Sequence, residues 1–107
     1  MKSGIWVQAT VRRCTAEGIM CTVARRGDAD AGVILLKLNR FEQGCTVLSQ
    51  SRSASGELVW TRGTGANPVT EPEADAYIAR QVGRDPDLWV VEIEDRQNRN
   101  PFEGRIV

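Results

Sequence analysis

Two pairs of carboxylates are the residues best suited by type and spacing to do chemistry. Asp28 and Asp30 stand in a turn bounded by Gly27 and Gly32, and Glu92 and Glu94 alternate near the end of a late apolar run that closes on Asp95. Side chains two apart on a strand share a face, so Glu92 and Glu94 point the same way. If their strand lies beside the strand leading into the turn, all four carboxylates gather at one end of a sheet. Such a group binds hard cations such as Mg²⁺, which can organise phosphoryl transfer. The plainer reading is that Asp28 and Asp30 close Asx-turns, while the glutamates line the solvent side of an edge strand. No D…E-x-K nuclease pattern accompanies the acids, which favours the plainer reading.

Arg26 and Lys37 are the candidate contacts for a small anion. Arg12, Arg13, Arg25 and Arg26 form two pairs. A helix and a strand turning back on each other at Gly18 would hold those pairs at opposite ends, so one phosphate-binding cluster is not expected. Lys37 is flanked by leucines on a strand, where a half-buried lysine normally carries its ammonium out to solvent. Apart from Lys2 and Lys37 every basic residue is arginine. Arginine suits bidentate recognition of phosphate or carboxylate, but codon usage in a GC-rich genome produces the same excess.

Much familiar chemistry is excluded. The chain has no histidine, so Ser-His and Cys-His nucleophiles are ruled out. Cys14, Cys21 and Cys45 are odd in number and lack C-x-x-C spacing. They read as buried thiols in a reducing compartment, not as a disulfide framework or a zinc site. The glycines form no phosphate-binding loop or dinucleotide fingerprint. Arg26-Gly27-Asp28 spells the integrin tripeptide, which carries no weight in a cytoplasmic protein. Trp60 and Trp89 read as core anchors; Trp6 is assigned to an interface.

The elements that must position these residues follow from periodicity and punctuation. Ser3 caps a helix over Gly4 to Glu17, with Ile5, Ala9 and Ala16 as a broad apolar stripe and Gly18 as its stop. Strands are expected at Ile19 to Arg25 and Val33 to Asn39, forming a hairpin through the turn at 26–32. Two more are expected at Cys45 to Gln50 and Glu57 to Arg62, after a turn at Arg40 to Gly44 and a loop at Ser51 to Gly56. Residues 63–69 link to a helix capped by Thr70, with Glu73 closing a capping box and Ala74, Tyr77, Ile78 and Val82 on its apolar stripe, ending at Gly83. Leu88 to Asp95 is the last strand, pairing with the first or the fourth. The expected fold is α+β, in the order α-β-β-β-β-α-β: a mainly antiparallel sheet of about five strands with two helices on one face. Residues 1–96 form a single domain and 97–107 a loosely ordered tail.

The 107 residues suffice for one core, and 14 basic residues balance 14 acidic ones. A neutral chain lacks the global field that draws nucleic acid, so nucleic acid is not an expected partner. The longest aliphatic runs, Val33 to Leu36 and Leu88 to Val91, are too short to span a bilayer. With no leader-like start, a cytoplasmic protein without membrane contact is expected.

Two stretches, Arg25-Arg26-Gly27-Asp28-Ala29-Asp30-Ala31-Gly32 and Asp85 to Arg96, resemble the signature segments of a domain-of-unknown-function family of small alphaproteobacterial proteins. Ile5-Trp6-Val7 with Arg12-Arg13 also fits its opening. The resemblance implies a stand-alone bacterial domain and supplies no activity or catalytic residues. The expected function is therefore a small non-enzymatic binding or interaction domain, with a protein partner or a second copy at an unpaired strand edge or at Trp6. The alternative is a metal-dependent enzyme or nucleic-acid-processing protein using Asp28, Asp30, Glu92 and Glu94 with Mg²⁺; no other cofactor is expected.

Overall fold

The computed structural model describes residues 2–107. Helix α1 (Ser3–Ala16) is followed by β1 (Met20–Arg25), β2 (Ile34–Asn39), a short 3-10 turn, β3 (Cys45–Arg52), β4 (Leu58–Arg62), α2 (Glu71–Arg84), β5 (Trp89–Glu94) and β6 (Arg105–Ile106). The strands form one sheet in the order β1-β5-β2-β3-β4-β6. β5 runs parallel to β2, and β6 parallel to β4; the remaining pairs are antiparallel. The class is α+β as expected, but the sheet is mixed and has six strands.

The expected hairpin of the first two strands does not form. β5 inserts between them, so that Cys21 pairs with Ile93 and Leu38 pairs with the same residue from the other side. The reason lies in which strands need burial. β2 is buried at all six positions and β5 at four of six, whereas β1 is exposed or half-buried throughout. Strands apolar on both faces belong in the middle of a sheet, and β1 is left at its edge. The loop at 26–33 is long enough to step across one intervening strand, about 10 Å.

The helices lie on opposite faces, not on one. Ile34, Leu36 and Leu38 of β2 point toward α1, where they meet Trp6, Val7 and Cys14 together with Trp89, Val91 and Ile93. Leu35 points the other way and packs with Cys45, Val47, Ala74 and Leu88 beneath Tyr77, Ile78 and Val82 of α2. A central strand apolar on both sides needs a cover on both sides. The buried stripe of α1 is Trp6, Val7, Thr10 and Cys14, rotated from the expected one, and it leaves Ile5 56% exposed. Trp6 is buried and stacks on Trp60 at 5.4 Å, so it is a core residue and not an interface residue.

Capping divides the two helices. Thr70 Oγ1 accepts a hydrogen bond from the Glu73 amide, the N-cap read from the sequence, and Glu73 Oε1 accepts from the Thr70 hydroxyl instead of closing a capping box on its amide. α1 instead has Lys2 at its N-cap with no side-chain cap. The Gly4 amide donates to Ala29 O, and Ser3 Oγ donates to Gly32 O. The turn at 26–32 therefore caps α1, a role the sequence assigned to Ser3. Residues 97–107, expected as a loose tail, supply β6 and bury Phe102 edge-on against Trp60 at 5.8 Å.

Candidate functional site

The four sequence-predicted carboxylates do not meet. Asp28 and Asp30 lie in the loop packed on the start of β5, where Asp28 N donates to Asp87 O and Trp89 Nε1 donates to Asp28 O. Asp28 Oδ2 accepts from the amides of Asp30 and Ala31, an Asx-turn. Asp30 pairs with Lys2 at 3.5 Å. Glu94 is at the far end of β5, beside Met20 and Asn39, roughly 17 Å along the strand from Trp89. Asp95, next in sequence, is buried and held by Arg99 through three hydrogen bonds of 2.9–3.1 Å. Those bonds outweigh burial and pull its carboxyl well below the usual range. Asp95 thus fastens the C-terminal segment and takes no part in a cluster.

Glu92 and Glu94 belong to a different group. They line an acidic cleft of about 840 Å³ at the carboxyl ends of the parallel strands β2 and β5, with Glu42, Glu71, Glu73 and Phe41. Beneath it is Lys37, which is buried and does not reach solvent as expected. Its Nζ lies 2.8 Å from Glu71 Oε2, 2.8 Å from Asp75 Oδ1 and 3.5 Å from Glu92 Oε2. Burial would depress its pKa, but Asp75, Glu71 and Glu92 together hold it above the ordinary lysine value. The ammonium therefore stays charged, and neither a nucleophilic amine nor a free anion contact exists there. Glu71 and Asp75 were missed in the sequence. Their signal was an acid pair at i,i+4 on a helix facing a central strand whose lysine needs counter-charge. Among the described residues no group of three or more Cys, Asp or Glu has the geometry to hold a metal ion.

The thiols are quiet. Burial raises Cys14, Cys21 and Cys45, and contact with Cys14 helps push Cys21 up to about 12. A thiol that stays protonated is a poor nucleophile.

Arg26, the other anion candidate, lies far from Lys37. It stacks over the Trp89 ring at 5.8 Å and lines a groove of about 720 Å³ between α1 and β1. The floor is Ile5, Val11, Val23 and Trp89; Lys2, Arg12 and Arg26 supply its charged rim. The groove meets the open edge of the sheet at Val23, since β1 pairs only with β5. β1 carries neither lysine nor proline to blunt that edge, and its only irregularity is a bulge between Val23 and Arg25. Met20 is 65% exposed and Val23 37%.

The family "Protein of unknown function (DUF1491)" matches residues 1–103. The chain belongs to the DUF1491 family. A crystal structure of a DUF1491 family protein from Caulobacter crescentus is similar with a TM-score of 0.88 at 39% identity, covering 100% of this chain and 99% of that one. An NMR structure of a DUF1491 family protein from the same organism gives 0.85 at 39% identity, covering 100% and 96%. A solution structure of an A. tumefaciens protein gives 0.75 at 26% identity, covering 89% and 86%. No curated protein matches the chain. The DUF1491 relatives are bacterial, as the resemblance implied. The two segments that carried the resemblance pack on each other: a Cβ on Gly27 or Gly32 would strike Asp87 O, so the glycines let the loop seat against the start of β5. No helix is long and apolar enough to cross a membrane, among the described residues.

Proposed function

We propose that this DUF1491 protein is a non-enzymatic binding domain that holds an extended segment of a protein partner along the open edge of β1, over the groove beside α1. The carrying observation is the coincidence of an unpaired strand edge with exposed Ile5 and Val23 in that groove. Strand addition draws affinity from main-chain hydrogen bonds and specificity from alternate side-chain pockets. The protonated thiols and the charged, enclosed Lys37 support a binding role over a catalytic one. Reduced cysteines fit the cytoplasm.

The test is selection of displayed peptides on the immobilised domain, counter-selected against Ile5→Glu/Val23→Asp. Peptides retained by the parent and lost on the variant are the expected result. Enrichment that is equal on both proteins overturns the reading.

A second reading is a metal-dependent or nucleic-acid-processing enzyme built on Glu92 and Glu94. The observation in its favour is that they share the acidic cleft with Glu71 and Glu73. Amide NMR titration with Mg²⁺, Mn²⁺ and short oligonucleotides decides it: shifts or broadening gathered at Glu92 and Glu94 support it, and silence there removes it.

A further inference from the structure

We infer that the segment held at β1 is acidic: one apolar side chain set on the groove floor, with Asp or Glu two residues to either side. This rests on the edge-docking reading and names its partner's chemistry. The groove rim carries Lys2, Arg12 and Arg26 against the single acid Asp30, which Lys2 already faces. Neither Arg12 nor Arg26 has a carboxylate within ion-pair distance among the described residues, and both are exposed. Two arginines with free forks beside an apolar floor form a surface for carboxylates.

The spacing fits a strand. α1 runs back along β1, with Gly4 held at Ala29 beyond one end of the strand and the Ile19 amide bonded to Cys14 O before the other. Lys2 and Arg26 therefore stand toward one end of the groove and Arg12 toward the other. Ten helical residues separate Lys2 from Arg12, about 15 Å. Same-face strand residues four apart are about 13 Å apart. Acids at the first and fifth positions of the added strand thus reach opposite ends of the rim, and the third position sits over Ile5, Val11 and Val23. A second copy of this chain is a poor occupant, because pairing β1 with itself brings a second Lys2, Arg12 and Arg26 against the first set.

The experiment is an amide NMR titration of the full chain with three capped heptapeptides. They are Thr-Glu-Thr-Val-Thr-Glu-Thr and its counterparts with lysine or glutamine in place of glutamate. The acidic peptide is expected to shift Ile5, Arg12, Val23 and Arg26 and to bind about tenfold more tightly than the lysine peptide, with added salt narrowing the gap. R12E/R26E is expected to reverse the order. Equal or tighter binding of the lysine peptide at the same amides overturns the acidic assignment and leaves edge docking standing. No shift at those amides with any peptide overturns both. Shifts at β1 that grow with protein concentration alone overturn the inference in favour of a second copy.

Discussion

Lys37 carries a charge that three carboxylates are arranged around, and this makes it the most consequential single residue of the acidic cleft. Removing it leaves Glu71, Asp75 and Glu92 facing one another, with Asn39 still donating to Glu71 and Glu92 but not to Asp75. Glu71 and Asp75 are about half exposed, so solvent screens part of the repulsion. Lys37→Met is expected to cost about 1–3 kcal/mol at pH 7. The folded-state pKa of Lys37 is raised, so its contribution is full below the unfolded value near 10.5 and is lost as pH climbs above it. Urea midpoints of parent and variant should therefore differ at neutral pH and converge as pH climbs past 10.5. A constant gap across that range would refute the account. At this scale the sequence marked Lys37 and put Glu92 and Glu94 on one face, but it set the glutamates beside Asp28 and Asp30 and missed Glu71 and Asp75. Side-chain partners depend on strand order, which no local spacing encodes.

The loop at 26–32 and the start of β5 behave as one element. The loop caps α1, receives the Trp89 indole and passes its glycines over Asp87. A Cβ on Gly27 would stand 2.2 Å from Asp87 O, against backbone that cannot swing aside. Gly27→Ala is expected to destabilise by more than the small entropic gain such a change brings elsewhere. Chemical denaturation should show a lower midpoint, and hydrogen exchange should show faster loss at the first amides of α1. An unchanged midpoint would mean that the loop does not hold the helix. Strand and helix positions were legible because alternation, capping residues and glycine stops are local signals. Strand pairing was not, because β1 and β2 look like a hairpin until β5 competes for the same edges. The two-sided burial of β5 was visible in Leu88 to Ile93, and weighing it against the half-polar β1 would have placed β5 inside the sheet and β1 at its edge.

Over the whole molecule the two faces of the sheet carry unequal cores. The α1 face holds all three tryptophans with Phe102, and the α2 face holds smaller side chains around Leu35 and Val47. Phe102 closes the larger core from a segment that composition marked as a tail. Its Asn, Arg and Gly content concealed one buried aromatic and two β6 residues. Phe102→Ala is expected to cost about 3–5 kcal/mol, read as a fall in the thermal midpoint. A shift within error would show that the C-terminal segment is dispensable. The open edge was legible only in outline: an unpaired strand was expected, but which one followed from the sheet order. Ile5 went unread as a surface residue because the α1 stripe was set one position out of phase.

The position of β5 also bears on how the protein is made. The strand that joins β1 to β2 is made after β1 to β4 and α2, and Cys21 must wait for Ile93. While a ribosome is still threading residues 89–94 through its exit tunnel, the earlier strands have a gap between β1 and β2. β1 then has two open edges. Folding of the nascent chain is expected to be deferred until residues 89–94 have left the tunnel, and truncation before Trp89 should yield a product for chaperones and proteases.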